Sequence, residues 1–413
     1  MLGDRSGRAA ARRRAARSRV WLLLTLGLFA QFPALAAGDT ANGGDLAMAK
    51  SAIVNAAELG ASARLLLEAR DALATPLDSV VDKTRLAASG DPHDYFSFAP
   101  YWWPDPDRPD GLPYERRDGE YNPATRGDAT DKQRLIDFID TVDALAWGYR
   151  LSGDPHYADR AVAQLEHWFL DPETRMNPNL RYAQAIPGRV DGRGIGIIES
   201  RLLIDLAAAI ERLTPADAMT PTTLAGLHSW YADYLDWLQR SDNGRDEADE
   251  SNNHGTWYDA QVVAFARFLD RPKLAQEQLQ RASQRLDAQF GPDGRQPLEL
   301  ERTRPWHYVN FNLEAWSILL DEAAAMDLDW PEGNARERLA AAYRWVAEHA
   351  AAPENWPYDE LHAFAPEIAL ANLAAARRHD LLGERQALAN HLIANWLAAE
   401  ARPAETVMAL GNG

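Results

Sequence analysis

Two short stretches of this 413-residue chain gather the side chains of acid–base chemistry. The first is Glu250-Ser251-Asn252-Asn253-His254-Gly255-Thr256-Trp257-Tyr258, where a histidine preceded by two asparagines stands at the start of an expected helix. Asparagine before a helix is routine as a cap, and a lone histidine is more often structural. The second is Glu299-Leu300-Glu301-Arg302-Thr303-Arg304-Pro305-Trp306-His307-Tyr308-Val309-Asn310-Phe311-Asn312, where arginine, histidine, tyrosine and asparagine crowd the segment before another helix. Amide, guanidinium and imidazole groups can hold an anion, and imidazole or phenol can move a proton. Either stretch alone is weak evidence. Together they suit proton transfer beside a negative charge.

The elements that must position these groups are helices. From Asp45 onward, apolar residues recur at three- and four-residue spacing in helix after helix. Among the expected helices are Met48–Ala74, Asp131–Leu151, Gly196–Leu213, Gly255–Leu269, Tyr308–Met326 and Glu384–Ala399. Gly153-Asp154-Pro155, Asp270-Arg271-Pro272 and Trp330-Pro331 mark breaks between them. Alternating strand runs are missing, and no strict repeat is visible. A long series of paired helices with short links points to an all-α toroid or solenoid.

One segment, His93 to Ala129, reads as a loop dense in aromatics, prolines and aspartates. Long structureless stretches inside a compact domain are usually functional, and aromatic faces beside polar groups suit a sugar ring. Tyr101, Trp102, Trp103 and Tyr114 are the candidates, expected to face a cleft; the plain alternative is that they plug one end of a barrel. Shorter polar loops are expected at Leu170–Gly194 and Arg240–Asn253, with Asp242 to Glu250 read as solvated surface.

Hydrophobic residues make up 46% of the chain and charged residues 25%, an ordinary globular composition. Seven arginines between residues 5 and 19, an apolar stretch from Val20 to about Phe32 and then Pro33-Ala34-Leu35-Ala36-Ala37 have the pattern of an export signal. Residues 1–36 are therefore expected to be removed, leaving one catalytic domain over 37–413, periplasmic or secreted, with no membrane span. Their loss takes away seven arginines and one aspartate, moving the net charge from −18 to −24. So acidic a body is a poor nucleic-acid binder. It would also repel an anionic polysaccharide unless a local basic cleft existed, and Arg175, Arg181, Arg189, Arg193 and Arg201 on one side, with Arg302 and Arg304 on the other, supply a candidate. Only four lysines occur, so a general preference for arginine explains the same cluster.

Asn253-His254, followed about fifty residues later by Glu-Leu-x-Arg and then tyrosine, resembles the alginate lyase superfamily of polysaccharide lyases. Tyr95-Phe96-Ser97 through Tyr101-Trp102-Trp103-Pro104, Gly111-Leu112-Pro113-Tyr114 and Gly192-Arg193-Gly194-Ile195-Gly196-Ile197-Ile198 carry the same resemblance. It covers residues 80 to 320 or so, and is nearest to polysaccharide lyase family thirty-eight, with family five more distant. The resemblance implies an incomplete α/α toroid and β-elimination from a uronan such as alginate. It places Asn253 and His254 beside the substrate carboxylate, Arg302 in support and Tyr308 at the proton in transit. Arg302 precedes Tyr308 by six residues where about seven are expected, so either Arg302 or Arg304 faces the site. Asn252, Arg193, Arg304, Trp306 and His307 are further candidates for substrate contact.

Those roles make physical sense. As the C5 proton of a 4-linked uronate leaves, charge builds on the adjacent carboxylate, and donors aimed there stabilise the intermediate. A tyrosine normally titrates near 10, and neighbouring cations are expected to lower that value. Tyr308 would then act as base and return the proton to O4, or His254 would be the base if the proton lies on the other face. No cofactor is implied, and no His/Asp spacing suggests a metal. Two alternatives remain open: a glycoside hydrolase using carboxylates such as Asp94, Glu199 or Asp259, and a non-catalytic polysaccharide-binding protein.

Overall fold

A computed structural model describes residues 62–400; the expected signal segment and the start of the Met48–Ala74 helix lie outside them. The described chain is built of helices. After α1 (62–72) come α2 (Asp131–Ser152), α3 (Pro155–Phe169), α4 (Leu203–Leu213), α5 (Pro221–Arg240), α6 (Asp242–Asp249) and α7 (Asn253–Phe268). Then follow α8 (Pro272–Gln289), the short α9 (Pro297–Leu300), α10 (Pro305–Ala325), α11 (Gly333–Ala351), α12 (Leu370–Arg378) and α13 (Gln386–Glu400).

Local chemistry sets the boundaries. α2 stops at Gly153, which takes the left-handed conformation at φ 71°, and α3 begins at once with Asp154 capping the backbone of His156 and proline in the first turn. The expected helix Gly196–Leu213 divides into a 3-10 segment, Gly194–Leu202, and α4. The expected polar loop after Arg240 is in fact a helix, α6, capped by Ser241.

Consecutive helices pack as pairs, α2 with α3 and α7 with α8, and non-consecutive contacts of α2 with α4, α7 with α10 and α10 with α12 bend the series into an open α/α toroid. α7 lies at its centre: every residue from Asn253 to Phe268 is buried except His254 and Arg267. A helix buried on all sides must satisfy its polar groups internally. Asp259 does so through Arg285 and Gln278, and Thr256 through Gln289.

The segment from His93 to Ala129 is not wholly structureless. Strand β1 (Phe96–Phe98) pairs in parallel with β4 (Tyr182–Ala185), and β2 (Trp102–Trp103) pairs antiparallel with β3 (Glu115–Arg116). These pairs are too short for an alternating pattern to announce them. They tie the aromatic segment to the Tyr182–Ala185 stretch and fold it back on itself. Among the described residues no helix is long and apolar enough to cross a membrane.

Candidate active site

A cavity of about 940 Å³ is lined by the aromatic segment, through Tyr95, Tyr101 and Trp102, and by α2, α7, α10 and α12. On α10 its wall is the stripe Tyr308, Phe311, Glu314, Ile318 and Asp321, which spans about 20 Å of helix. Cations line the end near Tyr308: Lys132, Arg193, Arg201, Arg302 and Arg304. Carboxyl groups share the wall, among them Glu199 beside Lys132, Asp321 beside Arg378, and Asp205, which burial pushes up to about 7 with help from Asp143 and Glu314.

The cationic end is assembled by two helix starts. Asn252 caps α7 by accepting from the backbone N–H of His254 at 2.9 Å, which leaves Asn253 and His254 in the first turn. Glu299 on α9 accepts from both the backbone N–H and the Nδ2 of Asn253, each at 2.7 Å, so the buried amide cannot rotate. Four residues of helix thus orient the residue that opens another. Past α9 the chain turns at Arg302 and enters α10 at Pro305, which places Tyr308 in its first turn with its side chain under Arg302.

Arg302 Nη2 donates to the Tyr308 oxygen at 2.8 Å and also binds Asp118 at 2.9 Å, while the Tyr101 hydroxyl lies 2.9 Å from that of Tyr308. The arginine on the phenol is therefore Arg302; Arg304 lines the cavity beside it. Tyr308 does not titrate low. Burial raises it well above the ordinary tyrosine value, Tyr101 adds to the rise, and the opposing pull of Arg302 is too weak to reverse it. The expected lowering is corrected on this point: desolvation outweighs the single adjacent cation.

His254 Nδ1 bonds Glu247 Oε1 at 2.8 Å. Burial disfavours a charged imidazole, but the charge and hydrogen bond of Glu247, with Glu250 and Glu299 nearby, outweigh it and raise the histidine above its usual value. His307 behaves in the opposite way. Burial and then the charges of Arg304, Arg201 and Arg302 push it down to about 4, so it is neutral, with its ring stacked on Phe311.

A family model described as alginate lyase matches residues 79–356, about two thirds of the chain. A crystal structure of an alginate lyase from Bacteroides ovatus is similar at 34% identity, with a TM-score of 0.77 and coverage of 88% of this chain and 95% of that one. The chain belongs to the alginate lyase family. It is accordingly a polysaccharide lyase on an α/α toroid. Alginate lyase A1-III from Sphingomonas species A1 is a more remote match at 16% identity and a TM-score of 0.48, covering 76% of this chain and 86% of that one. No curated protein sequence matches.

Within this family member the expected contacts divide. Tyr101, Trp102, Arg193, Asn252, Asn253, His254, Arg302, Arg304, His307 and Tyr308 all line the one cavity. Trp306 does not: it is 1% exposed, its indole N–H bonds the carbonyl of Ala365, and its ring packs on Trp356 and Phe364. Their two-residue separation explains the difference, since Trp306 and Tyr308 point about 200° apart around α10. Trp103 and Tyr114 lie beyond the cavity wall. Trp103 donates to the carbonyl of Glu120, and the Tyr114 backbone binds Pro187 and Arg189. Of the five arginines between 175 and 201, only Arg193 and Arg201 reach the cavity.

Sequence reasoning missed Glu247, Asp118 and Glu299 as partners of the site. Glu247 is the clearest miss, since it lies in a stretch read as solvated surface yet is fully buried. Its signal was the seven-residue separation from His254, spanning two helix ends, which no pattern on one helix reveals. Of the carboxylates considered for hydrolysis, Asp259 sits in the core with Arg285 and Asp94 pairs with Ser89 and Asn177, both off the cavity; Glu199 lines it but is held by Lys132, Tyr95 and Ser97.

Proposed function

We propose that this lyase cleaves a 4-linked uronan, with alginate as its foremost substrate and polymannuronate or glucuronan within its range. The products carry a 4,5-unsaturated uronate at the new end. The observation that carries this reading is the Tyr308 phenol held between Arg302 and Tyr101, on the same cavity as Asn253 and His254. Asn253, His254 and Arg302 are the donors for the substrate carboxylate, and their hold strengthens as charge moves onto it. The Glu247 contact favours the protonated imidazole, which suits His254 as a donor and leaves proton transfer to Tyr308.

In the reaction the C5–H bond breaks and its proton passes to the ionised oxygen of Tyr308. The electron pair forms the C4=C5 bond, the C4–O4 bond breaks, and the Tyr308 proton goes to O4. Arg302 stabilises the phenolate while it exists, and no step calls for a metal. The arginine-rich amino-terminal pattern supports export ahead of this activity.

The test is a panel of alginate, polymannuronate, polyguluronate and glucuronan, followed by ultraviolet absorbance of unsaturated ends with a chelator present. Growth of that absorbance on at least one uronan is expected. Release of reducing ends without it would overturn the elimination mechanism, and activity abolished by the chelator would overturn metal independence.

A further inference from the structure

We infer that Arg193 is a second carboxylate anchor in the cleft, holding the uronate next to the one being cleaved. The enzyme would then select chains that carry carboxylates on neighbouring sugars. This deepens the lyase reading and rests on it.

The backbone at Arg193 is wedged in place. At Gly192 a Cβ atom would stand 2.1 Å from the carbonyl oxygen of Arg181, and at Gly194 it would stand 2.6 Å from the side chain of Asp246. Glycine on both sides allows an extended Arg193, φ −158° and ψ 159°, to pass between these walls and reach the cavity. Its Nη2 donates at 2.8 Å to the side-chain oxygen of Gln184. Gln184 itself adopts φ 52°, a conformation few side chains take, and is fixed there by its backbone N–H on Ser97 Oγ. Strain of this kind persists only where the surroundings impose it.

What Arg193 lacks is a counter-ion. Among the described residues no carboxylate pairs with it, and its buried Nε–H has no partner. The two acids that act on it from a distance are already engaged, Glu199 by Lys132 and Glu247 by His254. Its site partner Arg302, by contrast, has Asp118. A half-buried guanidinium held by one neutral amide is costly unless an anion completes it. The planar carboxylate of a uronate matches its fork of donors. With Asn253, His254 and Arg302 assigned to the carboxylate of the reacting sugar, the charge at Arg193 is assigned to the carboxylate of its neighbour.

The experiment compares polymannuronate with the same polymer after partial reduction of its carboxyl groups to alcohols, with rates expressed per remaining uronate. In the parent enzyme, reduction is expected to raise KM about tenfold or more, the scale of one charge-assisted hydrogen-bonded contact. Arg193→Ala should show that higher KM on the intact polymer, with kcat little changed and the response to reduction lost. Arg193→Lys, which keeps the charge without the fork, should fall between and guards against misfolding of the alanine variant. An unchanged KM in both variants would overturn the inference. So would a fall in kcat at constant KM, which would put Arg193 on the reacting sugar. A parent enzyme that made no unsaturated product from any uronan would overturn the lyase reading and this inference with it.

Discussion

The guanidinium of Arg302 lies 3.8 Å above the ring of Tyr308 and also donates a 2.8 Å hydrogen bond to its hydroxyl oxygen. One side chain thus supports the phenol both through its face and at its reacting atom. It does so across six residues because the chain turns between α9 and α10.

Tyr308→Phe keeps the ring under Arg302 and removes the exchangeable proton. Turnover is expected to fall by at least about 10²-fold, the usual weight of a general acid–base group, with polymer binding retained by calorimetry. Near-normal turnover in this variant would assign the proton to another residue. Tyr101→Phe tests the neighbouring hydroxyl and should cost less, because Arg302 still stabilises the phenolate.

The two titrations at the site dictate a pH profile. Tyr308 is raised by burial, so its ionised fraction below its own pKa grows about tenfold per pH unit. His254 must keep its proton, and its raised pKa lets it do so past the ordinary value of about 6.5. Log kcat/KM should therefore climb with unit slope and flatten only where His254 deprotonates. Glu247→Gln removes the charge that raises His254 and should move the flattening to lower pH. A profile that is unchanged in Glu247→Gln would refute the role given to the pair.

Asn253→Ala deletes the amide that Glu299 holds towards the carboxylate site. The loss expected is about 3 kcal/mol of transition-state stabilisation, read as a fall in kcat with a modest change in KM. Glu299→Ala should reproduce part of that loss although Glu299 is placed behind Asn253. Full activity in Glu299→Ala would show that the amide needs no such support.

Trp306→Ala should act on stability and leave recognition alone. Removing a large core side chain costs about 3–5 kcal/mol, measurable by denaturant unfolding. KM for the polymer in the folded fraction should stay at the parent value. A selective rise in KM would mean that the indole reaches substrate after all.

The sequence made the helices readable because each buries one face, and the order Asn253, His254, Arg302, Tyr308 was visible as a motif. Trp306 was misread because three consecutive aromatic or imidazole residues on a helix point in three directions, and the motif does not say which face is inward. Glu247 was hidden for a different reason. α6 has too few apolar residues for periodicity to reveal it, so an acid that pairs with the site looked like one facing water. The rise at Tyr308 comes from burial and from the neighbouring Tyr101 hydroxyl, which only the folded cavity brings together.

The first turns of α7 and α10 carry Asn253, His254 and Tyr308, and α7 runs through the middle of the molecule against both α8 and α10. The reactive groups therefore ride on the most deeply embedded parts of the scaffold, where opening requires the core itself to come apart. Heating should not produce a folded but silent enzyme with a loosened site. Loss of turnover and loss of helical structure should arrive together, in one cooperative event.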